Sequence, residues 1–518
     1  MKFFSIAGPV NPEKHYCLPL STRLNEDELH ALIKQEKYFI LHAPRQTGKT
    51  STMLNFAQTL NNGGVYTALY VNVESAQAAR SDYIKGMYTI IEEFLNHIED
   101  QLPNEKNIIK YLIKKIKDQK LSGSSLTSML QYWAKNSAKP IVLFIDEIDS
   151  LVGDTLISVL RQLRSGYTKR PKQFPQSLCL IGVRDVRDYR IWSDEKKAMV
   201  LGGSAFNIKS ESLRLNDFTK QEVHALYMQH TAETGQKFNK DAMDYAFEIT
   251  QGQPWLVNAL AYQACFKDVT DYSKPITKEI IEKAKETLIK RRDTHLDVLI
   301  DRLQEPRVYN IIDAIITGNI KTAAELKPDD ILYARDLGLI KMKGLEIANP
   351  IYQEVIPREL TYAKQEEMIQ DIKWYQDTDG SLNMTKILKA FTEFYRENSA
   401  DWLADCKYKE SGPHLLMMAF LQRVINGGGK IHREYALGRK RLDLFLSWKK
   451  QKIAIELKVY KDKKTLPDGL KQTAEYMDVC DASEGHLIIF DKRKKSWKEK
   501  MYTKKARIDG KVITVWGL

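Results

Sequence analysis

The stretch Tyr38-Phe-Ile-Leu-His-Ala-Pro-Arg-Gln-Thr-Gly-Lys-Thr50 constrains this chain more than any other. Tyr38 to Leu41 have strand character, the loop behind them closes on Gly48-Lys49-Thr50, and Met53, Leu54, Phe56, Ala57 and Leu60 then recur at helical spacing. Strand, tight loop and helix in that order is the setting in which G-x-x-x-x-G-K-[ST] cradles phosphate. Backbone N–H groups converge on the anion, and the helix N-terminus adds partial positive charge. The loop residues Ala43, Pro44, Arg45, Gln46, Thr47, Gly48, Lys49, Thr50 and Ser51 are therefore predicted to bind ATP. Lys49 would reach the β- and γ-phosphates and the Thr50 hydroxyl would ligate Mg2+. The string departs from the pattern at its first glycine, which is Ala43, but a small side chain still permits the turn.

A nucleotide-hydrolysing site also needs acids at a neighbouring strand end. Ile141-Val-Leu-Phe-Ile145 is a wholly apolar run suited to a central parallel strand, and it ends in Asp146-Glu147-Ile148-Asp149. Asp146 is predicted to hold the Mg2+ shell and Glu147 to orient or deprotonate the attacking water. Two further apolar runs, Val65 to Val73 and Ser177 to Val183, read as strands. Arg184, just past the second, is a candidate sensor of the γ-phosphate. Arg161, Arg164 and Arg170 are candidate arginine fingers acting on a neighbouring subunit, with solvated basic surface an equal reading for each. Strands alternating with helical stretches, among them Asn25 to Gln35 and Ser81 to Lys135, argue a parallel α/β sheet covered on both faces.

Gly8-Pro9-Val10-Asn11-Pro12, His42 to Thr50, Phe144 to Glu147, Arg161 to Arg164 and Gly252-Gln-Pro-Trp-Leu-Val-Asn258 together resemble the bacterial AAA-like ATPases. These are relatives of the archaeal ATPase and origin-initiator branches of the AAA+ class. The resemblance covers roughly residues 1–360. It implies a P-loop ATPase core (1–215), a helical lid (216–293) and a winged-helix segment (294–361), with self-association through the ATPase. Pro254 would read the nucleotide state there, although proline at a first helical turn explains it equally. Within the winged-helix segment, Val308 to Thr317 and Asp329 to Leu337 read as helices, and Leu339 to Met342 with Leu345 to Ile347 as a hairpin wing. Its second helix is acidic, which argues against DNA reading by that helix.

A polar stretch, 362–383, reads as a linker to a last domain, 384–518. Arg441 to Leu446 and Lys452 to Val459 are strands around a polar turn. Ile453, Ile455, Leu457 and Val459 are expected on one face of the second strand, Glu456 and Lys458 on the other. Asp443 and Glu456 can offer oxygen ligands to Mg2+, or to Mn2+, while Lys458 positions a metal-bound water against a phosphodiester. Gln472-Thr-Ala-Glu-Tyr476 follows on a helix. The order of acidic strand, E-x-K strand and Q-x-x-x-Y helix resembles the RecB-like branch of the PD-(D/E)xK nuclease superfamily, a restriction-endonuclease-like α/β fold. That resemblance implies catalytic roles for Asp443, Glu456, Lys458 and Gln472, and a further ligand from Glu410 or His414, between which nothing chooses.

Charge bears on the partner. The net charge is +12, and nine Lys or Arg stand between Lys492 and Arg507 against one acid, Glu499, with Trp497 and Tyr502 interleaved. Such a surface favours nucleic acid, DNA above RNA, with a solvated lysine-rich face as the plain alternative. The five cysteines are scattered and never paired as C-x-x-C, which reads as free thiols in a reducing cytoplasmic compartment. No apolar run is long enough to cross a membrane. The expectation is thus an ATPase coupled to a metal-dependent nuclease, with a role in defence against foreign DNA implied by resemblance alone. The alternative is a nucleotide-gated regulatory or DNA-binding switch with a non-catalytic nuclease fold.

Overall fold

In the computed structural model the apolar runs line up side by side. Residues 1–194, 197–291, 294–317, 326–360, 375–405, 412–425, 430–437, 440–493 and 495–518 are described. They group into two units, Met1–His295 with Leu332–Met342, and Leu296–Ile331 with Lys343–Leu518.

The first unit is built on β1 (Tyr38–His42), β2 (Thr67–Asn72), β3 (Ile141–Asp146) and β4 (Ser177–Gly182). A short antiparallel hairpin follows, β5 (Arg190–Ser193) with β6 (Ala198–Leu201), and then β7 (Lys209–Arg214). The main sheet runs β2-β3-β4-β1-β7, every neighbouring pair parallel. Both faces are apolar because alternate residues of each strand meet different helices. Tyr38, Ile40, Leu143, Ile145, Leu178 and Leu180 join one cluster with Phe94, Trp133 and Leu160 of the helices beyond β2 and β3. Phe39, Leu41, Val142, Phe144, Cys179 and Ile181 join the other, with Leu29 and Ile33 before the sheet and Met53, Phe56 and Leu60 after the phosphate loop. Each such side chain contributes about 1.5–3 kcal/mol on burial. The chain leaves β1 for β2 at the far edge of the sheet and returns through β3 and β4. The crevice at the C-terminal ends of β1, β4 and β3 is therefore where a ligand fits.

The expected helix before β1 is Glu26–Lys34, capped by Asn25, whose side chain accepts from the Glu28 N–H. The expected lid is helical. Lys220–Thr234, Lys240–Thr250, Pro254–Gln263 and Lys278–Arg291 follow one another, the first opened by a capping box between Thr219 and Glu222. The turn-rich N-terminal arm is pinned at several points. The Val10 N–H donates to Ser51 Oγ (2.8 Å), Trp255 Nε1 to the Ile6 carbonyl (2.9 Å) and the Tyr16 hydroxyl to Glu233 (2.7 Å).

In the second unit a mixed sheet runs β12-β13-β11-β10-β9-β8. Its strands are β8 (Lys430–Leu437), β9 (Lys440–Trp448), β10 (Gln451–Val459), β11 (Glu484–Phe490), β12 (Tyr502–Ile508) and β13 (Lys511–Gly517). Helix Thr465–Val479 crosses from β10 to its parallel neighbour β11, and its Ala474, Tyr476 and Met477 pack on Ala454, Leu487 and Ile489.

Two expectations need correction. The wing predicted over residues 339–347 is no strand pair: that stretch is mostly turn, with single bridge residues at Ile340 and Ile347. The part of the predicted linker that is described, 375–383, is folded onto the β9–β10 turn. Trp448 Nε1 donates to the Gly380 carbonyl (3.0 Å) and the Leu382 N–H to Gln451 Oε1 (2.7 Å). On β10, Ile453 to Leu457 are all buried, Glu456 among them, and the crossover helix packs on the face that carries Ala454 and Glu456. Among the described residues no helix is long and apolar enough to cross a membrane.

Candidate functional site: a phosphate loop and a buried acidic pair

The phosphate loop folds as its residue types demand. Gly48 caps helix Lys49–Asn62 at φ 94°, a left-handed conformation open to glycine at no steric cost. Gln46 is also left-handed. Ala43, at the place of the missing first glycine, is fully buried in the apolar cluster under the helix, and its N–H donates to the Gly182 carbonyl (3.2 Å). A methyl group thus fills space that the core needs filled. Thr47 Oγ1 donates to the Pro44 carbonyl (2.9 Å), and Lys49 Nζ donates to the carbonyls of Ala43 and Pro44 (2.9 Å each). Burial pushes the Lys49 ammonium below the usual lysine range, opposed by Asp146, Glu147 and Asp149. An ammonium so placed, with only carbonyl oxygens as partners, suits a phosphate. Arg45 is exposed at the tip of the loop and Ser51 is held by the arm.

The acids predicted from β3 are brought to this loop. Asp146 is wholly buried; its Oδ2 accepts from Thr50 Oγ1 (2.6 Å) and from the Tyr70 hydroxyl (2.6 Å), and its Oδ1 from the Glu147 N–H (2.8 Å). A hydroxyl and a carboxylate in contact offer the hard oxygen donors that Mg2+ takes, so the residues fit that ion. Glu147 is left-handed (φ 57°, ψ 38°), a conformation that costs a non-glycine residue on the order of 1 kcal/mol. Burial, with Asp146 and Asp149 beside it, pushes Glu147 up to about 7. A carboxyl poised there can take a proton from water near neutral pH.

The candidate arginines differ in their surroundings. Arg184 is bonded to Asp336 (Nε to Oδ2, 3.3 Å) and stacks on Tyr333 at 4.9 Å. Arg164 donates to the Ser204 carbonyl (3.0 Å). Arg170 lies over the rings of Tyr167 and Tyr38 and donates to the carbonyls of Tyr167 and Glu36, a structural brace and not a free finger. Arg161 is exposed. Pro254 opens its helix behind Gln253, which caps Leu256 N–H, and both are buried.

Sequence reasoning missed two residues here. The Tyr70 hydroxyl anchors Asp146, and burial beside that carboxylate keeps the phenol protonated. Arg23, buried, donates to the Thr47 carbonyl (3.2 Å) and to the Asn216 carbonyl at the start of the lid (2.7 Å). Neither belongs to a recurring string, so no local signal marked them.

In the second unit, Glu456 is buried and Lys458 half-buried on the same face of β10, with Nζ and Oε1 2.5 Å apart. Leu444 of β9 is opposite Ile455 of β10, so Asp443 and Glu456 are the next residues on the two strands. The Asp443 side chain lies outside the described ones, as does Glu410. Gln472 is half-buried on the crossover helix, its Oε1 shielded and without a hydrogen-bond donor among the described residues. Tyr476 is buried in the core, and His414 is buried beside the ring of Phe490. Among the described residues no three His, Cys, Asp or Glu side chains group closely enough to hold a metal alone. The end of the basic tail forms edge strand β12, on which Lys504, Lys505 and Arg507 are exposed and Ala506 between them is half-buried.

The fold resembles the Walker-type ATPase PABY2304 of Pyrococcus abyssi (16% identity, TM-score 0.47, 68% of this chain and 99% of that one). It also resembles the Thermotoga maritima RuvB Holliday junction branch migration motor (13%, 0.33, 64% and 95%) and Cdc6p from Pyrobaculum aerophilum (12%, 0.34, 73% and 93%). No curated protein matches the chain. The AAA-like domain family matches residues 16–354, a span that holds the phosphate loop, the Asp146–Glu147 pair and the helices between Lys220 and Arg291. With more than half of its length inside that match, and its loop and acids joined as described, the chain belongs to the AAA-like domain family of P-loop ATPases.

Proposed function

We propose that this chain is an ATPase whose nucleotide cycle controls a metal-dependent nuclease in residues 384–518. The observation that carries the first half is the contact of Thr50 with Asp146, with Glu147 next in the chain. In this reading the backbone of residues 43–51 binds the phosphates. Lys49 exchanges its two carbonyl partners for β- and γ-phosphate oxygens, and Glu147 orients and deprotonates the attacking water. Mg2+, held at Thr50 and Asp146, would neutralise charge on the phosphates. Arg184 reads the γ-phosphate, and Arg161 and Arg164, both exposed, are the candidate fingers for a second copy of the chain. Residues 294–361 act as a connector between the ATPase and the nuclease-like domain.

The second half rests on Glu456 and Lys458 sharing one face of β10 beside the strand that carries Asp443. A divalent cation at Asp443 and Glu456 would supply Lewis acidity and an activated water. Lys458 would orient that water, and Gln472 would steady the site from the crossover helix. The exposed lysines of β12 would track a nucleic-acid backbone, DNA in the cytoplasm, with foreign DNA as the target in a defence role. The direct Lys458–Glu456 ion pair favours a second reading, in which the domain binds without cutting and the ATPase is a switch. Labelled DNA and RNA incubated with Mg2+ or Mn2+, with and without ATP, separate the two. Cleavage lost in Lys458→Ala and altered in Lys49→Ala supports the nuclease; intact nucleic acid retained by the protein supports the switch.

A further inference from the structure

A buried carboxylate sits among the cations at the mouth of the nucleotide crevice. Arg184 follows β4 and Arg214 ends β7, the strands on either side of β1, and Arg214 is paired in register with His42 just before the phosphate loop. Both arginines bind Asp336: Arg184 Nε to Oδ2 (3.3 Å) and Arg214 Nη1 to Oδ1 (3.3 Å). Arg214 Nη2 also donates to the Arg335 carbonyl (3.1 Å). The three side chains are only 10–20% exposed. Two guanidinium groups on one carboxylate is the arrangement that also captures a phosphate.

The segment carrying Asp336 touches the phosphate loop itself. Gly338 is left-handed (φ 75°) and packs so closely that a Cβ there would meet Pro44 Cγ at 2.8 Å. Arg184 stacks on Tyr333 of the same segment. Leu332–Met342 clusters with residues 1–295, although the chain on both sides of it belongs to the other unit. Lys209, a further cation on β7, already has its own partner in Asp185.

We propose that Arg184 and Arg214 form a phosphate-reading pair, and that Asp336 is a built-in anion that occupies it until the γ-phosphate of ATP competes. Arg214 then joins Arg184 in recognising ATP over ADP. Losing Asp336 from the pair undocks Leu332–Met342 from Pro44. The covalent continuation of that segment in both directions carries the change into the second unit. This inference rests on the ATPase reading and adds to it a regulated step and a residue.

The test uses the full chain, a non-hydrolysable ATP analogue and ADP. Asp336→Asn keeps the shape and removes the charge, and is expected to bind the ATP analogue about tenfold more tightly with little change for ADP, a coupling of ordinary size. Gly338→Ala loosens the same segment from its other side without touching either arginine, and is expected to behave alike. Arg214→Gln added to Asp336→Asn should cancel the gain. Trypsin cleavage after Arg335 and Lys341 should need the ATP analogue in the wild type and occur without it in both single variants. Analogue binding by the wild type with no gain and no new cleavage in either folded variant overturns the latch alone. Wild-type protein that binds the analogue no better than Lys49→Ala overturns the ATPase reading with it.

Discussion

The two sheets of this molecule present acidic residues in opposite ways. At the end of β3, Asp146 is sealed from water yet satisfied by Thr50, Tyr70 and the Glu147 N–H, three donors from three elements. On β10, Glu456 is equally buried but has its ion-pair partner two residues away on the same strand. The first arrangement fixes a carboxylate in one orientation whether or not nucleotide is present. The second ties acid and ammonium to each other, and a metal or a phosphodiester has to separate them. A site pre-organised by long-range bonds is ready to catalyse, whereas one closed by a local pair is ready to be opened.

Substitutions can break this comparison. The largest effect is expected from Lys49→Ala, which should lower ATP turnover by about 10²–10³-fold, the scale of losing one electrostatic contact to a developing charge. Lys458→Ala should leave that turnover unchanged while abolishing metal-dependent cleavage of nucleic acid. Loss of ATP turnover in Lys458→Ala would mean that the two sites are not separate. Next comes the core that positions the loop. Phe56 is fully buried against Phe144 under the loop helix, and Phe56→Ala should cost about 3–5 kcal/mol, read as a lower urea midpoint. Smaller again, Thr219→Ala removes the cap at the start of the lid and should cost about 1 kcal/mol.

A further effect is one of pH. The Glu147 carboxyl is raised from its ordinary value of 4.5 to about 7, so the folded chain holds a proton that the unfolded chain loses in between. Its contribution to stability is full below about 4.5, declines as pH rises and is gone above about 7. Thermal melts of Glu147→Gln and wild type should therefore diverge in favour of the variant as pH rises from 5 to 8. ATP turnover should run the other way, rising through about 7 as the base ionises.

How much of this was legible in the sequence follows the same contrast. Residues 38–62 specify strand, loop and helix within one continuous string, and β1, β3 and β4 declare themselves by apolar runs that only a doubly covered parallel strand tolerates. Strand β7 (Lys-Ser-Glu-Ser-Leu-Arg) escaped notice because an edge strand keeps a polar composition. Strand β12 was missed for a related reason: its lysines read as a charged tail, although they line an edge. Asp336, Arg214, Tyr70 and Arg23 act through hydrogen-bond partners 24 to 193 residues away, and no period or motif encodes such a pairing. Glu456 and Lys458 share one face of β10 as period two implies, but nothing in the strand itself shows that the crossover helix buries that face.

The central claim is that Glu147, held left-handed and near neutrality beside Asp146, is the base for ATP hydrolysis. Single-turnover hydrolysis by Glu147→Gln, with nucleotide binding measured on the same protein, tests it most directly. The account predicts binding close to wild type and a hydrolysis rate lower by about 10²–10⁴-fold. Hydrolysis at the wild-type rate by the bound, folded variant would contradict it.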